Sequence, residues 1–267
     1  MKCRLIICIL AVLISATMYV LDIAYYYYMP PKEHYPYTIK KKCKDTLRIA
    51  FIGDSWAFMH TPYDYSISNI LSEQLNYPVQ FRSYGICGAT SKDIYEQLFS
   101  NHDIRHFLSN GLEVCVISAG INDTYKKMSN IYYQKSMEYI IRFFITNSIY
   151  PIIIEIPDYN IEKAYRNQTV FKMIVRQVSM LLTGTNIDCK HDFRNALNDL
   201  LLHSNNFGHK VYVVRYKEWN SNYQKDLEKY YLPDNMHLDE RGYALLDTCI
   251  TEHISNIFYN HLTPIDR

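Results

Sequence analysis

Five apolar runs of strand length alternate with stretches of helical spacing: "LRIAFIG", "PVQFRSYG", "EVCVISAG", "YPIIIEIPD" and "KVYVVRY". This alternation constrains the fold more than any other feature. A short, continuous apolar run marks a strand buried on both faces. The stretches between have helical periodicity. "YSISNILSEQL" puts Ile67, Ile70, Leu71 and Leu75 on one side, and "SKDIYEQL" opens on Ser91, a candidate N-cap. "YYQKSMEYIIRFFITN", "EKAYRNQTVFKMIVRQVSMLL" and "CKHDFRNALNDLLLHS" each read as one helix. The last, "DERGYALLDTCITEHISNIFYN", carries Leu246, Ile250, Ile254, Ile257 and His261 on one face. Alternating strands and helices predict an α/β domain with a parallel sheet covered on both sides. In such sheets sites form beyond the carboxyl ends of the strands. Polar residues just after runs one, two, three and five are therefore the ones to read for chemistry.

The chain's 267 residues, 48% of them hydrophobic, suit one domain of residues 46–267 with a full core. Twenty-eight Lys and Arg against 27 Asp and Glu leave a net charge of +1, with no basic excess for nucleic acid. No phosphate loop, dinucleotide fingerprint or metal-ligand spacing occurs, so no cofactor and no metal are expected. Of seven cysteines, Cys115 falls in a strand run and reads as core, while Cys43, Cys87, Cys189 and Cys249 lack the CxxC spacing of zinc sites. In an exported body one disulfide is open to them.

The N-terminus is apolar from Leu5 to Ala24, with Asp22 its single charge, after Lys2 and Arg4 and before the aromatic run Tyr25–Tyr28. Such a stretch reaches the length of a membrane span and ends in interfacial residues. Residues 1–28 read as an uncleaved signal anchor, with the body outside the cytoplasm. A cleaved signal peptide and a secreted or periplasmic body is the alternative. Lys40–Lys42 weaken the anchor's orientation, N-terminus cytoplasmic and body outside, although they lie near the limit of the positive-inside window. Residues 29–45 read as a tether.

Four polar clusters stand where the topology predicts convergence. Gly53-Asp54-Ser55 follows the first run, and Gly85 and Gly88 bracket the loop after the second. Gly120-Ile121-Asn122-Asp123 follows the third, and Asp234-Asn235-Met236-His237 precedes the last helix. Taken singly, each has a plain structural reading. Gly, Asp, Ser and Asn are turn and cap residues, and an Asp three residues before a His is unremarkable among ten histidines.

In this order, the four clusters resemble those of the SGNH hydrolases, the GDSL-type esterases, over residues 46–262. The resemblance implies a three-layer α/β/α sandwich with a five-stranded parallel sheet of flavodoxin-like type. It also implies roles. Ser55 would be the nucleophile, and Asp234 and His237 would complete a triad. The oxyanion hole would take the backbone N–H groups of Ser55 and Gly88 and the side chain of Asn122. The chemistry suits those residue types: a serine hydroxyl needs a neighbouring base, imidazole is that base near neutral pH, and a carboxylate orients it. Trp56, Ser83 and Cys87 depart from the family's commoner residues, with Trp56 either packing or lining an acyl pocket, and Asp54 is expected to fix the loop. Asn122 and Asn167 match the glycosylation pattern, but a glycan on an oxyanion donor would block the site.

The expectation is a serine esterase acting on an acylated carbohydrate or other small ester, with O-acetyl groups of cell-envelope glycans foremost. It would work without cofactor or nucleic acid, held to the membrane by its N-terminal segment. An O-acyltransferase using the same triad, and an inactive glycan-binding module, are the alternatives.

Overall fold

The computed structural model describes residues 2–39, 45–165, 168–204, 207 and 210–262. Lys40–Lys42, Cys43 and Asn167, named above, lie outside the described residues. The elements in chain order are α1 (Lys2–Tyr28), β1 (Leu47–Gly53), α2 (Ser55–His60), α3 (Asp64–Leu75), β2 (Val79–Gly85), α4 (Ser91–Ser100) and α5 (His102–Ser109). Then come β3 (Val114–Ser118), α6 (Ile121–Lys126), α7 (Asn130–Thr146), β4 (Tyr150–Ile154), α8 (Ile161–Tyr165), α9 (Val170–Thr183) and α10 (Lys190–His203). The chain closes with β5 (Tyr212–Val214), α11 (Tyr216–Trp219), α12 (Tyr223–Tyr230) and α13 (Glu240–Ile257).

The five strands form one parallel sheet in the order β2-β1-β3-β4-β5. Helices α4, α7 and α10 pack together on one face, and α3 and α13 on the other. The apolar runs become strands because every residue of β1 and β3 is buried, and that burial rewards side chains apolar on both faces. Ile49, Phe51, Ile117 and Ile153 are fully enclosed, each contributing about 2 kcal/mol by burial. The strand order reverses between β1 and β3, which opens a crevice outside their carboxyl ends.

Local chemistry moves several boundaries. The single helix expected over 162–182 is interrupted, because the Thr169 hydroxyl accepts from Lys172 N–H and starts α9 afresh. The cap of α4 is Thr90, not Ser91. Thr90 accepts from Asp93 N–H while the Asp93 carboxylate accepts from Thr90 N–H, a reciprocal capping box. The last helix passes into a π-turn at Phe258–Leu262, so His261 leaves the apolar face and is exposed against Tyr212. Helices α11 and α12, absent from the sequence reading, separate β5 from the Asp234 loop.

Helix α1 is long and apolar enough to cross a bilayer or serve as a signal sequence; among the described residues none of its apolar span is buried, and Tyr27 in its last turn is partly buried against the body. Residues 29–39, expected as a tether, have no helix or strand but do not hang free. Ile39 is buried, its N–H donates to Asn147 Oδ1, and the Tyr37 hydroxyl donates to Leu98 O.

Candidate active site

Strand β1 ends on Gly53 because a side chain there would strike the backbone of β3: a Cβ would lie 2.3 Å from Ser118 O. Asp54 then caps α2, its Oδ1 accepting from Trp56 N–H at 3.0 Å and from the Ser118 hydroxyl at 3.1 Å. The carboxyl is fully enclosed. Burial pushes its pKa up to about 6, held from going further by those donors. Asp54 thus ties the turn to β3, and Ser55 stands at the first position of α2.

Gly85 and Gly88 fold the next loop onto that turn. A Cβ on Gly85 would lie 1.9 Å from Phe58 N, so β2 and α2 approach closely only through glycine. Gly88 takes a left-handed φ of 77°, with open space where a side chain would be. Lys126 Nζ donates to Gly88 O at 2.7 Å and fixes the loop from α6.

Asn122 lies on the first turn of α6, one helical turn before Lys126. Its Nδ2 is buried with no hydrogen-bond partner, a costly state for an amide unless something is to occupy it. Beside it Asp123, fully buried, accepts from Ser91 N–H at 2.8 Å and the Ser91 hydroxyl at 2.5 Å. Burial pushes its carboxyl up to about 7. Gly120 opens α6 at φ 114°, where any side chain would meet Ile156 and Tyr133.

The fourth cluster lies between α12 and α13. A Tyr231–Leu238 bridge closes its loop, and Leu232 N–H donates to His237 O at 2.8 Å. Asn235 takes the left-handed φ of 59° the bend needs, and Lys163 Nζ donates to its Oδ1 at 2.7 Å. Asp234 Oδ1 accepts from the N–H groups of Met236 and His237, at 2.9 and 3.0 Å. Asp234 Oδ2 lies 2.6 Å from His237 Nδ1. Partial burial raises the Asp234 pKa, but the imidazole and the two N–H groups outweigh it and hold the carboxyl below its ordinary value.

Across the crevice, His237 Nε2 lies 2.8 Å from Ser55 Oγ. An ionised carboxylate only accepts, so Nδ1 carries the proton toward Asp234 and Nε2 is left to accept from the serine. Hydroxyl, imidazole and carboxylate form one continuous chain, able to draw a proton off Ser55. The structure thus joins Ser55, His237 and Asp234 by hydrogen bonds and sets Asn122 and Gly88 on the elements that follow the neighbouring strands.

Trp56 does not line a pocket. It is fully buried edge-to-face against Trp219, with ring centroids 5.6 Å apart. Sequence reasoning missed Ser118, Lys126 and Lys163. Ser118 was visible as a lone hydroxyl ending an apolar run, and Lys126 as the residue one helical turn after Asn122. Lys163 had no local signal. Cys8, Cys87, Cys115, Cys189 and Cys249 are free thiols, and among the described residues no three His, Cys, Asp or Glu side chains gather as a metal would require.

The family model for GDSL-like lipases/acylhydrolases matches residues 51–245. No curated protein sequence matches the chain. Among solved structures, a lipase/acylhydrolase from Enterococcus faecalis is 16% identical with a TM-score of 0.51, over 79% of this chain and 96% of its own. The acetylxylan esterase of Geobacillus stearothermophilus is 14% identical with a TM-score of 0.53, over 79% and 96%. A family 3 carbohydrate esterase of Clostridium thermocellum is 16% identical with a TM-score of 0.53, over 80% and 98%.

Proposed function

The chain belongs to the GDSL-like lipase/acylhydrolase family and is a serine ester hydrolase, and from that premise we propose that it removes a small acyl group, acetyl foremost, from a carbohydrate through an acyl-enzyme at Ser55. The observation that carries the reading is the chain of hydrogen bonds from Ser55 Oγ to His237 and on to Asp234, at 2.8 and 2.6 Å. Acetyl as the acyl group is supported by the acetylxylan esterase among the fold relatives.

Each step follows from the residues. His237 Nε2 takes the proton as Ser55 Oγ attacks the ester carbon, and Asp234 stabilises the imidazolium that forms. Charge gathers on the carbonyl oxygen, where the Asn122 amide and the N–H groups of Ser55 and Gly88 donate to it. The intermediate collapses, the C–O bond to the sugar breaks, and His237 returns its proton to the leaving alkoxide. Water, deprotonated by the same imidazole, attacks the acyl-serine and releases carboxylate, regenerating Ser55.

The test is acetate release from an acetylated oligosaccharide and from a chromogenic acetyl ester, by the full chain and by Ser55→Ala. Activity in the parent and none in the variant, with an acetyl adduct trapped on Ser55 by rapid quench, supports it. Equal rates in both proteins overturn it. Adding free sugar as acceptor separates hydrolysis from transfer, since transfer alone yields new sugar ester.

A further inference from the structure

Helix α9 is built inside out for a helix on a globular body. Its sequence, "VFKMIVRQVSMLLT", is mostly apolar, yet Ser179 is the residue it buries. Val170 is 73% exposed, Phe171 64% and Leu181 84%, with Ile174 more than half exposed as well. Arg176, Ser179 and Thr183 turn toward the body, while Lys172 and Gln177 stay exposed beside the apolar residues. The Arg176 guanidinium stacks 3.8 Å over the Tyr165 ring and donates to Gln168, whose Nε2 donates to the Tyr125 hydroxyl. The Thr183 hydroxyl donates to Ser179 O. Water is a poor solvent for such a helix.

What lies beside it indicates the solvent it suits. α9 packs against α1, the helix long and apolar enough to cross a bilayer. Its exposed side chains stay exposed with α1 in place. The last turn of α1 is also fixed to the body. Ser129 N–H donates to Tyr27 O at 3.0 Å, and the Ser129 hydroxyl donates to Tyr28 O at 3.1 Å. A chain leaving a bilayer through the Tyr25–Tyr28 run, where aromatic rings settle at the interface, has no slack before it meets the body. Hence the start of α7, and α9 packed against α1, sit at headgroup depth, and Ile131 is exposed on the first turn of α7.

We propose that α9 is a second membrane contact: it lies in the bilayer interface beside α1, with Val170, Phe171, Ile174 and Leu181 in the acyl-chain boundary. The body is then seated on the lipid surface rather than swinging on a tether. The occupant is lipid rather than a second copy, because α9's face continues that of a helix whose own apolar length needs lipid. Through Gln168 and Tyr165, α9 also braces Tyr125 on α6, the helix that carries Asn122, so the seat and the site are mechanically joined. The proposal rests on α1 entering a bilayer and does not depend on the esterase reading.

The experiment uses the full chain in phosphatidylcholine vesicles with a minority of phosphatidylglycerol, with bromine on the upper acyl chains or without. The two native tryptophans, Trp56 and Trp219, are buried and give a background to subtract. Phe171→Trp and Leu181→Trp each add a reporter at an exposed position, and Tyr65→Trp, 79% exposed on α3, is the control. In the proposed seat the 171 and 181 signals fall by about half in brominated lipid, as expected of side chains 5–10 Å deep, and the 65 signal does not. Equal quenching at all three positions overturns the proposal. So does the absence of quenching at 171 and 181, and Phe171→Cys copies that then cross-link to each other assign the face to a second copy. Thermal melting identifies any variant that has not folded, and either reporter suffices alone. The quenching reads α9 whether or not the chain hydrolyses esters, so the two readings fail separately.

Discussion

Two histidines in this molecule stand between a serine hydroxyl and a carboxylate, and only one is arranged for chemistry. His237 is part-exposed, with Ser55 on one ring nitrogen and Asp234 on the other. His60 is fully buried, its Nδ1 2.9 Å from the Ser83 hydroxyl and 3.1 Å from Asp64, its Nε2 2.9 Å from Asp247. Burial alone would depress its pKa, but Asp247 and Asp64 outweigh burial and push it up to about 9. Ser83 gives its proton to Asp64 at 2.5 Å, so both ring nitrogens of His60 donate and neither is free to accept. The same three residue types therefore make an ion cluster that pins α2 to α3 and α13. A triad requires one basic nitrogen aimed at a reachable hydroxyl.

The comparison breaks most sharply at the two serines. Ser55→Ala should lower kcat/KM by about 10⁶-fold with an unchanged melting temperature, whereas Ser83→Ala should leave the rate within a few-fold. Equal losses in an ester-hydrolysis assay would erase the distinction. Asp234→Asn should cost about 10⁴-fold, because an amide no longer selects the His237 tautomer that leaves Nε2 basic. Asn122→Ala should lower kcat by about 10²- to 10³-fold while KM moves little, since the amide serves charge that develops only in the transition state.

His60→Ala should reverse the pattern, costing stability by about 3 kcal/mol in chemical denaturation, because two carboxylates lose their cation. Its pH signature has a definite sign. A histidine raised from 6.5 to about 9 on folding gives stability that is fully present below 6.5 and lost as pH rises through 9. The parent's melting temperature should therefore fall across that window, and the variant's should fall less. Asp54 and Asp123, raised from 3.8 to about 6 and about 7, act lower, where stability also falls as pH rises through those values. The smallest effect is expected from Lys126→Met, about 10-fold in kcat, through a loosened Gly88 loop. An unchanged rate would show that the loop holds its shape without that lysine.

The fold was largely legible because its signals are local and strong. "LRIAFIG" runs from Leu47 to Gly53, and β1 has those same bounds. Boundaries failed where one side chain competes with helix periodicity, as Thr169 does. They failed too where a short helix such as α12 has few residues over which periodicity accumulates. The candidate site was legible as residue types at strand ends, with Trp56 its least settled letter. Only packing decided that Trp56 faces Trp219.

The sequence by itself determined the alternation of strands and helices, the positions of Ser55, Asn122, Asp234 and His237 along it, and an N-terminal helix apolar enough for lipid. Hydrophobic period and turn chemistry are properties of neighbouring residues. Tertiary structure alone decided which histidine meets which serine, that Lys126 holds Gly88, and that α9 turns its apolar side outward beside α1. Those are meetings of residues far apart in the chain, and no local pattern encodes the distance between them.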